Sequence, residues 1–249
     1  MKRRLSSGDI PKDGDTAEDE VILPREFYAR DTVLVSKELL GKIVVCVDEK
    51  DGTVMKARIV ETEAYVEKGD KACHGYKGKT ARNAVMFGAP GHAYVYLIYG
   101  MYSCINFVTE RSNYASAVLI RSLEPLDGLD RMRDNRAPPA KKMKPSASGP
   151  AKKKQQLKLK DIASGPGKLC MALGMTKDTH NGADLCTKDS GVYVIDAPPV
   201  KGSDIVQTTR INVDYAGKDA LHPWRFYIKG NECVSKRIKD EQAHLCMLK

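Results

Sequence analysis

Alternating apolar and polar positions recur along the 249-residue chain and are separated by polar, glycine-containing stretches. This pattern predicts β-strands at 42–47, 54–65, 93–99, 105–108, 117–123, 192–195, 205–213 and 225–228. Helical spacing predicts only short helices, at 32–40, 129–136 and 167–173. The first helix should end at Gly41, and Asp51-Gly52 between the first two strands is typical of a hairpin turn. Because no strand–helix–strand unit repeats, we predict a single α+β domain with a curved, mostly antiparallel sheet and peripheral helices.

Two segments lack this periodicity and are predicted to be disordered. Residues 1–20 are polar and charged, and residues 137–160 are rich in Pro, Lys, Ser and Ala. The folded domain is therefore expected to span 21–249, with 137–160 as an insertion. The sequence contains neither an apolar run of membrane-spanning length nor a secretory signal, so no membrane partner is expected.

The charge of the chain is unevenly distributed. The net charge is +9, yet residues 131–160 alone contain eleven basic residues and one acid. The remainder, with 30 basic and 31 acidic residues, is close to neutral. A basic excess favours a polyanionic partner, but here it describes one segment rather than the folded domain.

The seven cysteines are widely spaced, and no two of them form a CxxC pair. Their odd number and spacing argue against a disulfide framework and against a structural zinc or iron–sulfur site. We predict reduced thiols in an intracellular protein.

Two carboxylates lie within an otherwise apolar strand. Strand alternation places Glu61, Glu63 and Tyr65 on one face. Glutamate is seldom fully buried unless it is paired or functional, but the pattern alone slightly favours a simpler interpretation, in which both face solvent. Alternation does not distinguish Glu61 from Glu63.

Four tyrosines fall within nine residues, at Tyr94, Tyr96, Tyr99 and Tyr102. Alternation places Tyr94 and Tyr96 on one face, whereas Tyr99 ends the strand before Gly100, where a turn would present it to a partner. An aromatic cross-strand ladder and a surface that stacks on a planar polar ligand both explain this stretch.

Arg121 follows Val118, Leu119 and Ile120 and should need a carboxylate or phosphate partner. A structural ion pair and a functional role are both open for it. His74 lies in a polar loop, where a structural or solvated histidine is the simpler interpretation.

In their order and spacing, these segments resemble the alkyladenine DNA glycosylase family, also called 3-methyladenine DNA glycosylases. The resemblance covers roughly residues 23–234. The matching features are VETEAY, a histidine nine residues after its tyrosine, TARNAVMF, YVYLIYGMY followed by Asn106, LIRSLEP and SGPGKLC.

The resemblance implies a catalytic role for two side chains. Glu63 corresponds to the general base that deprotonates the water attacking C1′ of the sugar. Arg121 helps to hold that water, and the main-chain carbonyl of Ile211 is its third contact.

The resemblance also implies how the base and the DNA are held. Tyr65, His74 and Tyr96 form the pocket that stacks on an extruded base, and Asn106 crowds the exocyclic amino group of normal guanine. Tyr99 inserts into the duplex where the base was. The further residues implied in the intercalating hairpin or in DNA contacts are Met101, Thr80, Arg82 and Lys168.

The implied activity is base-excision repair of alkylated or deaminated purines of the 3-methyladenine, 7-methylguanine and hypoxanthine class. No matched position supplies a lysine nucleophile, so excision without strand cleavage is expected. The implied partner is duplex DNA containing damaged purines, bound by a monomer without cofactor or metal. The segment 137–160 would add salt-dependent DNA affinity or act as a nuclear localisation signal, and a nuclear protein is predicted.

Two other functions remain open from the sequence. A catalytically silent protein that binds DNA damage would use the same pocket, although retention of Glu63 and Arg121 argues against it. An RNA-binding or tRNA-modifying protein would use tyrosine stacking and would prefer single-stranded RNA.

Overall fold

Eight antiparallel strands form the centre of the molecule in the computed structural model, which describes residues 20–137 and 156–239. The strands are β1 (Ile43–Val47), β2 (Val54–Tyr65), β3 (Ala93–Ile98), β4 (Tyr102–Val108), β5 (Ala117–Asp127), β6 (Val192–Ile195), β7 (Ile205–Thr208) and β8 (Arg225–Ile228). The α-helices are α1 (Arg25–Tyr28), α2 (Thr32–Glu38), α3 (Leu129–Arg136), α4 (Leu159–Ile162), α5 (Pro166–Ala172) and α6 (Lys177–His180). The predicted α+β class is confirmed.

The long strand β2 organises the sheet. Strands follow the order β3-β4-β5-β2-β1-β6, and β8 joins β2 separately and carries β7 on its far side. β1 pairs with residues 54–58 of β2, whereas β8 pairs with residues 61–63. The pairing of β2 with β5 shifts register on both sides of Glu61. Because such bulges bend a strand and increase its twist, β2 can serve two neighbours in succession along one edge.

Most predicted strands are confirmed, and the differences have local causes. β4 begins at Tyr102, earlier than predicted, because Tyr102 pairs with Ile98 across a short hairpin. β7 ends at Thr208 instead of continuing to residue 213. The side chain of Arg210 is turned inward to Asp70, so this stretch is held by side-chain bonds rather than by the strand ladder.

Alternate residues of the central strands face the main hydrophobic core. Val95 of β3, Phe107 of β4 and Ile120 of β5 are completely buried there with Val35 of α2 and Leu169 of α5. The intervening residues of the same strands therefore point to the opposite face. Helices α2 and α5 pack on the core face of the sheet. They do not cover the second face, and a cavity forms there.

Part of the sequence prediction lies outside the described residues, namely 1–19, 138–155 and Cys246. The other end of the predicted insertion is described, and it is structured: Leu157 packs against the core, and α4 begins at Leu159. Structured residues therefore occur within the predicted insertion, before its boundary at residue 160. The apolar side chains of Leu157 and Ile162 explain the difference, because both find partners in the core. The six described cysteines are free.

Candidate active site

A cavity of about 600 Å³ opens on the second face of the sheet. One cross-strand row explains its position: Tyr94 pairs with Asn106, Asn106 with Leu119, and Leu119 with Glu63. Side chains at paired positions lie on the same face, so residues from β3, β4, β5 and β2 become neighbours. The loop 72–86 and the segment 211–215 provide further walls.

Glu63 is completely buried immediately behind this cavity. Its Oε2 accepts hydrogen bonds from the Tyr65 hydroxyl at 2.8 Å and from Arg121 Nη1 at 3.2 Å. Its Oε1 accepts a hydrogen bond from the Ile211 amide at 2.8 Å. All three donors belong to residues that line the cavity. Ile211 therefore binds Glu63 through its main-chain amide, and the implied contact of its carbonyl with the attacking water stays a prediction.

Glu61 is also completely buried, but three of its four hydrogen-bond partners lie away from the cavity, and the fourth is Arg121. Arg225 Nη1 donates to its Oε1 at 2.8 Å, and the Ser122 hydroxyl and Ser235 amide donate to its Oε2 at 3.0 and 2.8 Å. None of these three residues lines the cavity. The interpretation that both glutamates face solvent is therefore wrong. Burial raises the pKa of Glu61, but the charge of Arg121, the hydrogen bonds from Ser235 and the charge of Arg225 outweigh it, so the pKa lies below its ordinary value.

Arg121 joins the two carboxylates. Its Nε donates to Glu61 at 3.2 Å, and its Nη1 donates to Glu63 at the same distance. Burial lowers the pKa of Arg121, but the charges of Glu63 and Glu61 raise it above its ordinary value. The two interpretations left open for Arg121 are thus compatible, because one permanently charged guanidinium forms the ion pair and lines the cavity.

Aromatic rings form the β3 side of the cavity. The centroid of the His74 ring lies 4.6 Å from that of Tyr96, at an interplanar angle of 72°. His74 Nδ1 is 3.1 Å from the hydroxyl of Tyr94, a buried residue that the resemblance did not single out, although alternation had placed it beside Tyr96. Burial and the charge of Arg82 lower the pKa of His74, so its imidazole is neutral at pH 7. A neutral imidazole held at one nitrogen can donate or accept a further hydrogen bond through the other.

Asn106 and Tyr65 complete the lining between the aromatic rings and Glu63. Asn106 is buried, and its Nδ2 donates to the Tyr94 carbonyl at 3.0 Å. Burial and the neighbouring Glu63 charge raise the pKa of Tyr65 well above its ordinary value, which keeps its hydroxyl a hydrogen-bond donor. The structure thus brings together every residue predicted for the base pocket.

Tyr99 and Met101 project from the hairpin between β3 and β4 and are 81% and 70% exposed. The Met101 amide donates to the Ile98 carbonyl at 3.2 Å. Tyr99 and Gly100 both have positive φ, at 53° and 69°, the combination of a type I′ turn. An aromatic residue in the left-handed region costs about 1–3 kcal/mol. The hairpin therefore holds Tyr99 outward at the edge of the cavity despite an unfavourable backbone conformation.

The three predicted polar DNA contacts differ in their relation to the cavity. Arg82 is exposed and lines it. Lys168 is exposed on α5, whose first residue, Pro166, lines the cavity. Thr80 does not line it; its amide and hydroxyl donate to Asn83 Oδ1 at 2.7 and 3.0 Å.

Asn83 organises the loop that carries His74, and the sequence reasoning missed it. It is buried, and its Nδ2 donates to the carbonyls of His74 and Gly78 at 2.8 and 3.0 Å. The only signal was its place within the matching string TARNAVMF.

Arg210 and Asp70 form a second buried ion pair beside the site, with two contacts of 2.6 and 2.8 Å. Both side chains are completely buried. The guanidinium also lies 4.7 Å from the centroid of the Tyr65 ring and donates to the Ala64 carbonyl. Since Arg210 immediately precedes Ile211, this pair fixes the segment whose amide binds Glu63. Neither residue carried a sequence signal, because Asp70 lies in a polar loop.

Relatives of the chain are known from bacteria and archaea. Proteins named as candidate 3-methyladenine DNA glycosylases are 52% identical in Methanocella arvoryzae, 46% in Alkaliphilus oremlandii and 44% in Clostridium perfringens. The alignments cover 86–87% of this chain and 96–99% of those proteins. These organisms lend no support to a nuclear localisation, which stays a prediction from the basic segment. Among the described residues, no helix is long and apolar enough to cross a membrane.

The family model for methylpurine-DNA glycosylases matches residues 26–232, which include every residue of the candidate site. The match and the relatives agree with the resemblance that the sequence motifs carry. The chain therefore belongs to the methylpurine-DNA glycosylase family, a family of DNA-repair enzymes.

Proposed function

We propose that the protein hydrolyses the N-glycosidic bond of damaged purines in duplex DNA, with Glu63 as the general base. One observation carries this proposal: the buried carboxylate of Glu63 is held by three donors that all line the cavity. A carboxylate oriented by fixed donors next to a cavity lined by aromatic rings can take a proton from a water molecule that reaches it from the cavity.

Substrate binding requires the damaged base to leave the duplex, because a stacked base is out of reach of the catalytic group. The rings of Tyr96, His74 and Tyr65 provide a stacking surface for a planar purine. A cationic alkylated purine gains an additional cation–π attraction to these rings. Weakened pairing of the damaged base lowers the cost of its extrusion and so contributes to selection.

In the proposed reaction, the oxygen of the water bonds to C1′ while the water proton moves to Glu63. The N-glycosidic bond breaks, and the purine leaves with its electron pair. An alkylated cationic purine leaves as a neutral base, whereas a neutral purine such as hypoxanthine must gain a proton. In the described part of the chain, no lysine lines the cavity, which supports hydrolysis without strand cleavage.

The test of this proposal is a panel of duplexes that each contain one lesion, assayed under single-turnover conditions. Hypoxanthine, 3-methyladenine and 7-methylguanine should be released, and the same duplex without a lesion should stay intact. The DNA strand should remain uncut until the abasic product is treated with alkali. Absence of release from every lesion duplex, with intact binding, would instead identify a silent damage-binding protein.

The exposed hairpin gives a second prediction, for Tyr99→Asn. Asparagine is favoured at this turn position, so the variant should be as stable as the wild type or more stable. It loses the ring that we propose fills the gap left by the base, so its affinity for lesion duplex should fall about tenfold. Thermal melting and binding to a lesion duplex and to the same lesion in a single strand measure the two effects.

A single strand has no base stack with a gap for the Tyr99 ring to fill. Tyr99→Asn should therefore bind the single strand with the affinity of the wild type. Equal losses on duplex and single strand would show that Tyr99 contacts DNA without filling the gap. Tyr102→Asn is a matched control, because Tyr102 is a tyrosine of the same hairpin, is 41% exposed and does not line the cavity.

A further inference from the structure

Tyr215 combines two properties that no role assigned so far explains. Its side chain is 71% exposed, and yet it lines the cavity. It lies in the 3₁₀ segment Asp214–Leu221, whose last residue is exposed to a similar degree, 73%, but does not line the cavity. Exposure alone therefore does not distinguish Tyr215; its place at the cavity mouth does.

The backbone on both sides of Tyr215 is fixed. Val213 and Ala216 are buried together with Ala72 in a small apolar cluster. The Tyr215 hydroxyl donates to the Ala72 carbonyl at 3.4 Å, which ties the ring to the loop that carries His74. Because the polypeptide is anchored before and after it, the ring is presented at the mouth without a large cost of ordering on binding.

The same segment is bound directly to the catalytic carboxylate. Ile211 donates its amide to Glu63, and the next residue, Asn212, turns the chain with a positive φ of 60°. A non-glycine residue in this conformation persists where the surroundings enforce it, which is common at functional sites. The position of Tyr215 is thus coupled to that of Glu63 through four residues of fixed chain.

The chemistry of the site indicates which part of a nucleotide lies beside Tyr215. Tyr96 and His74 of the base pocket belong to β3 and the loop 72–86, whereas Tyr65 belongs to β2 together with Glu63. The cluster that anchors Tyr215 packs against Tyr65. β4 and β5 separate β3 from β2, which places them about 14 Å apart at ordinary strand spacing. The attacked carbon, C1′, must lie near Glu63, so the sugar lies on the β2 side of the cavity.

We propose that the Tyr215 ring packs against the deoxyribose of the extruded nucleotide and so forms a second aromatic contact to duplex DNA, separate from Tyr99. This inference rests on the proposed function, because it assumes an extruded nucleotide. A contact to the sugar stabilises the extruded state whichever damaged base occupies the pocket. Tyr215 therefore contributes to affinity for any extruded nucleotide and little to the choice between lesions.

The test compares Tyr215→Ala with Leu221→Ala in the Glu63→Gln background, which prevents turnover. Binding is measured to three duplexes of one sequence: with hypoxanthine, with a tetrahydrofuran abasic analogue, and without a lesion. Tyr215→Ala should weaken binding to the hypoxanthine and abasic duplexes equally, by about tenfold, and to the undamaged duplex by less than about twofold. Tyr215→Phe should recover most of this loss, because the ring makes the contact.

Leu221→Ala should change none of the three affinities by more than about twofold. A Tyr215→Ala loss confined to hypoxanthine would place the ring on the base, and an equal loss on all three duplexes would make it a general DNA contact; either result overturns the inference. The inference is also overturned if Tyr215→Ala weakens binding no more than Leu221→Ala does. Thermal melting confirms that the compared variants are folded.

If the proposed function is wrong, the wild-type protein will release no base from any lesion duplex, which is a different result from those above. The abasic analogue has no base to release, so the Tyr215 effect on its binding is measured in either case.

Discussion

Replacement of Glu63 by Gln is expected to lower the single-turnover rate of base release by about 10³-fold, with little change in affinity for the lesion duplex. Glutamine has the shape of glutamate and can still accept bonds at one oxygen, but it cannot take a proton from water. The cavity rings are not altered, so the extruded base should still be bound. Product release is followed by alkaline cleavage of a labelled strand, and binding by fluorescence anisotropy.

Glu124→Gln provides a matched control for this prediction. Glu124 is also a glutamate of the sheet, on β5, but it is paired with Arg58 and does not line the cavity. Its substitution should leave the rate of base release unchanged. Undiminished release by Glu63→Gln would rule out Glu63 as the base, and loss of lesion binding would mean that its effect is structural.

Periodicity in the sequence was sufficient for the strands and for which residues share a face. Tyr94 with Tyr96, and Glu63 with Tyr65, were correctly grouped from alternation alone. Alternation does not encode register, however, so it did not show that Tyr94 and Glu63 belong to one row across four strands. Register depends on pairing between segments distant along the chain, and only the family resemblance linked these motifs before the structure did.

The sequence also misjudged the surroundings of the two glutamates, for a physical reason. A charged side chain in a strand is normally assigned to solvent, because burial without a partner is costly. Glu61 is bound by Arg225 and Ser235, which lie 164 and 174 residues away, and Glu63 is bound by the amide of Ile211, 148 residues away. Arg210 was missed for the same reason, since its partner Asp70 is 140 residues away. Burial of charge is decided by such long-range pairs, which local patterns do not record.

Replacement of Glu61 by Gln should have the largest effect on stability, a loss of about 3–5 kcal/mol in the free energy of unfolding. The neutral amide removes the carboxylate that pairs with Arg225, and its NH₂ group faces donors. In Glu63→Gln, by contrast, Arg121 keeps its contact with Glu61, so the loss should be smaller. Urea unfolding of both variants and the wild type measures the difference.

The pH dependence of the free energy of unfolding provides an independent measurement of the ion pairs and hydrogen bonds of Glu61. The pKa of Glu61 lies below its ordinary value, 4.5, because the charge of Arg121, the hydrogen bonds from Ser235 and the charge of Arg225 outweigh the effect of burial. Its contribution to stability is therefore present above about pH 4.5 and is lost as the pH falls towards the lower folded-state pKa. In Glu61→Gln, this contribution is absent, so the free energy of unfolding should fall less steeply than in the wild type as the pH is lowered below about 4.5. If the free energy of unfolding fell with pH as steeply as in the wild type, Glu61 would not be the carboxylate that Arg121, Arg225 and Ser235 stabilise.

The two glutamine variants together separate the roles that the sequence left equal. At a temperature where both are folded, Glu61→Gln should retain far more base release than Glu63→Gln, although it is the less stable protein. The reason is that Glu61 acts on the site only through Arg121, and Arg121 keeps its contact with Glu63. The reverse result, a stable Glu61→Gln without base release, would assign the base to Glu61. Strand position alone permits either outcome; the donors around each carboxylate favour Glu63.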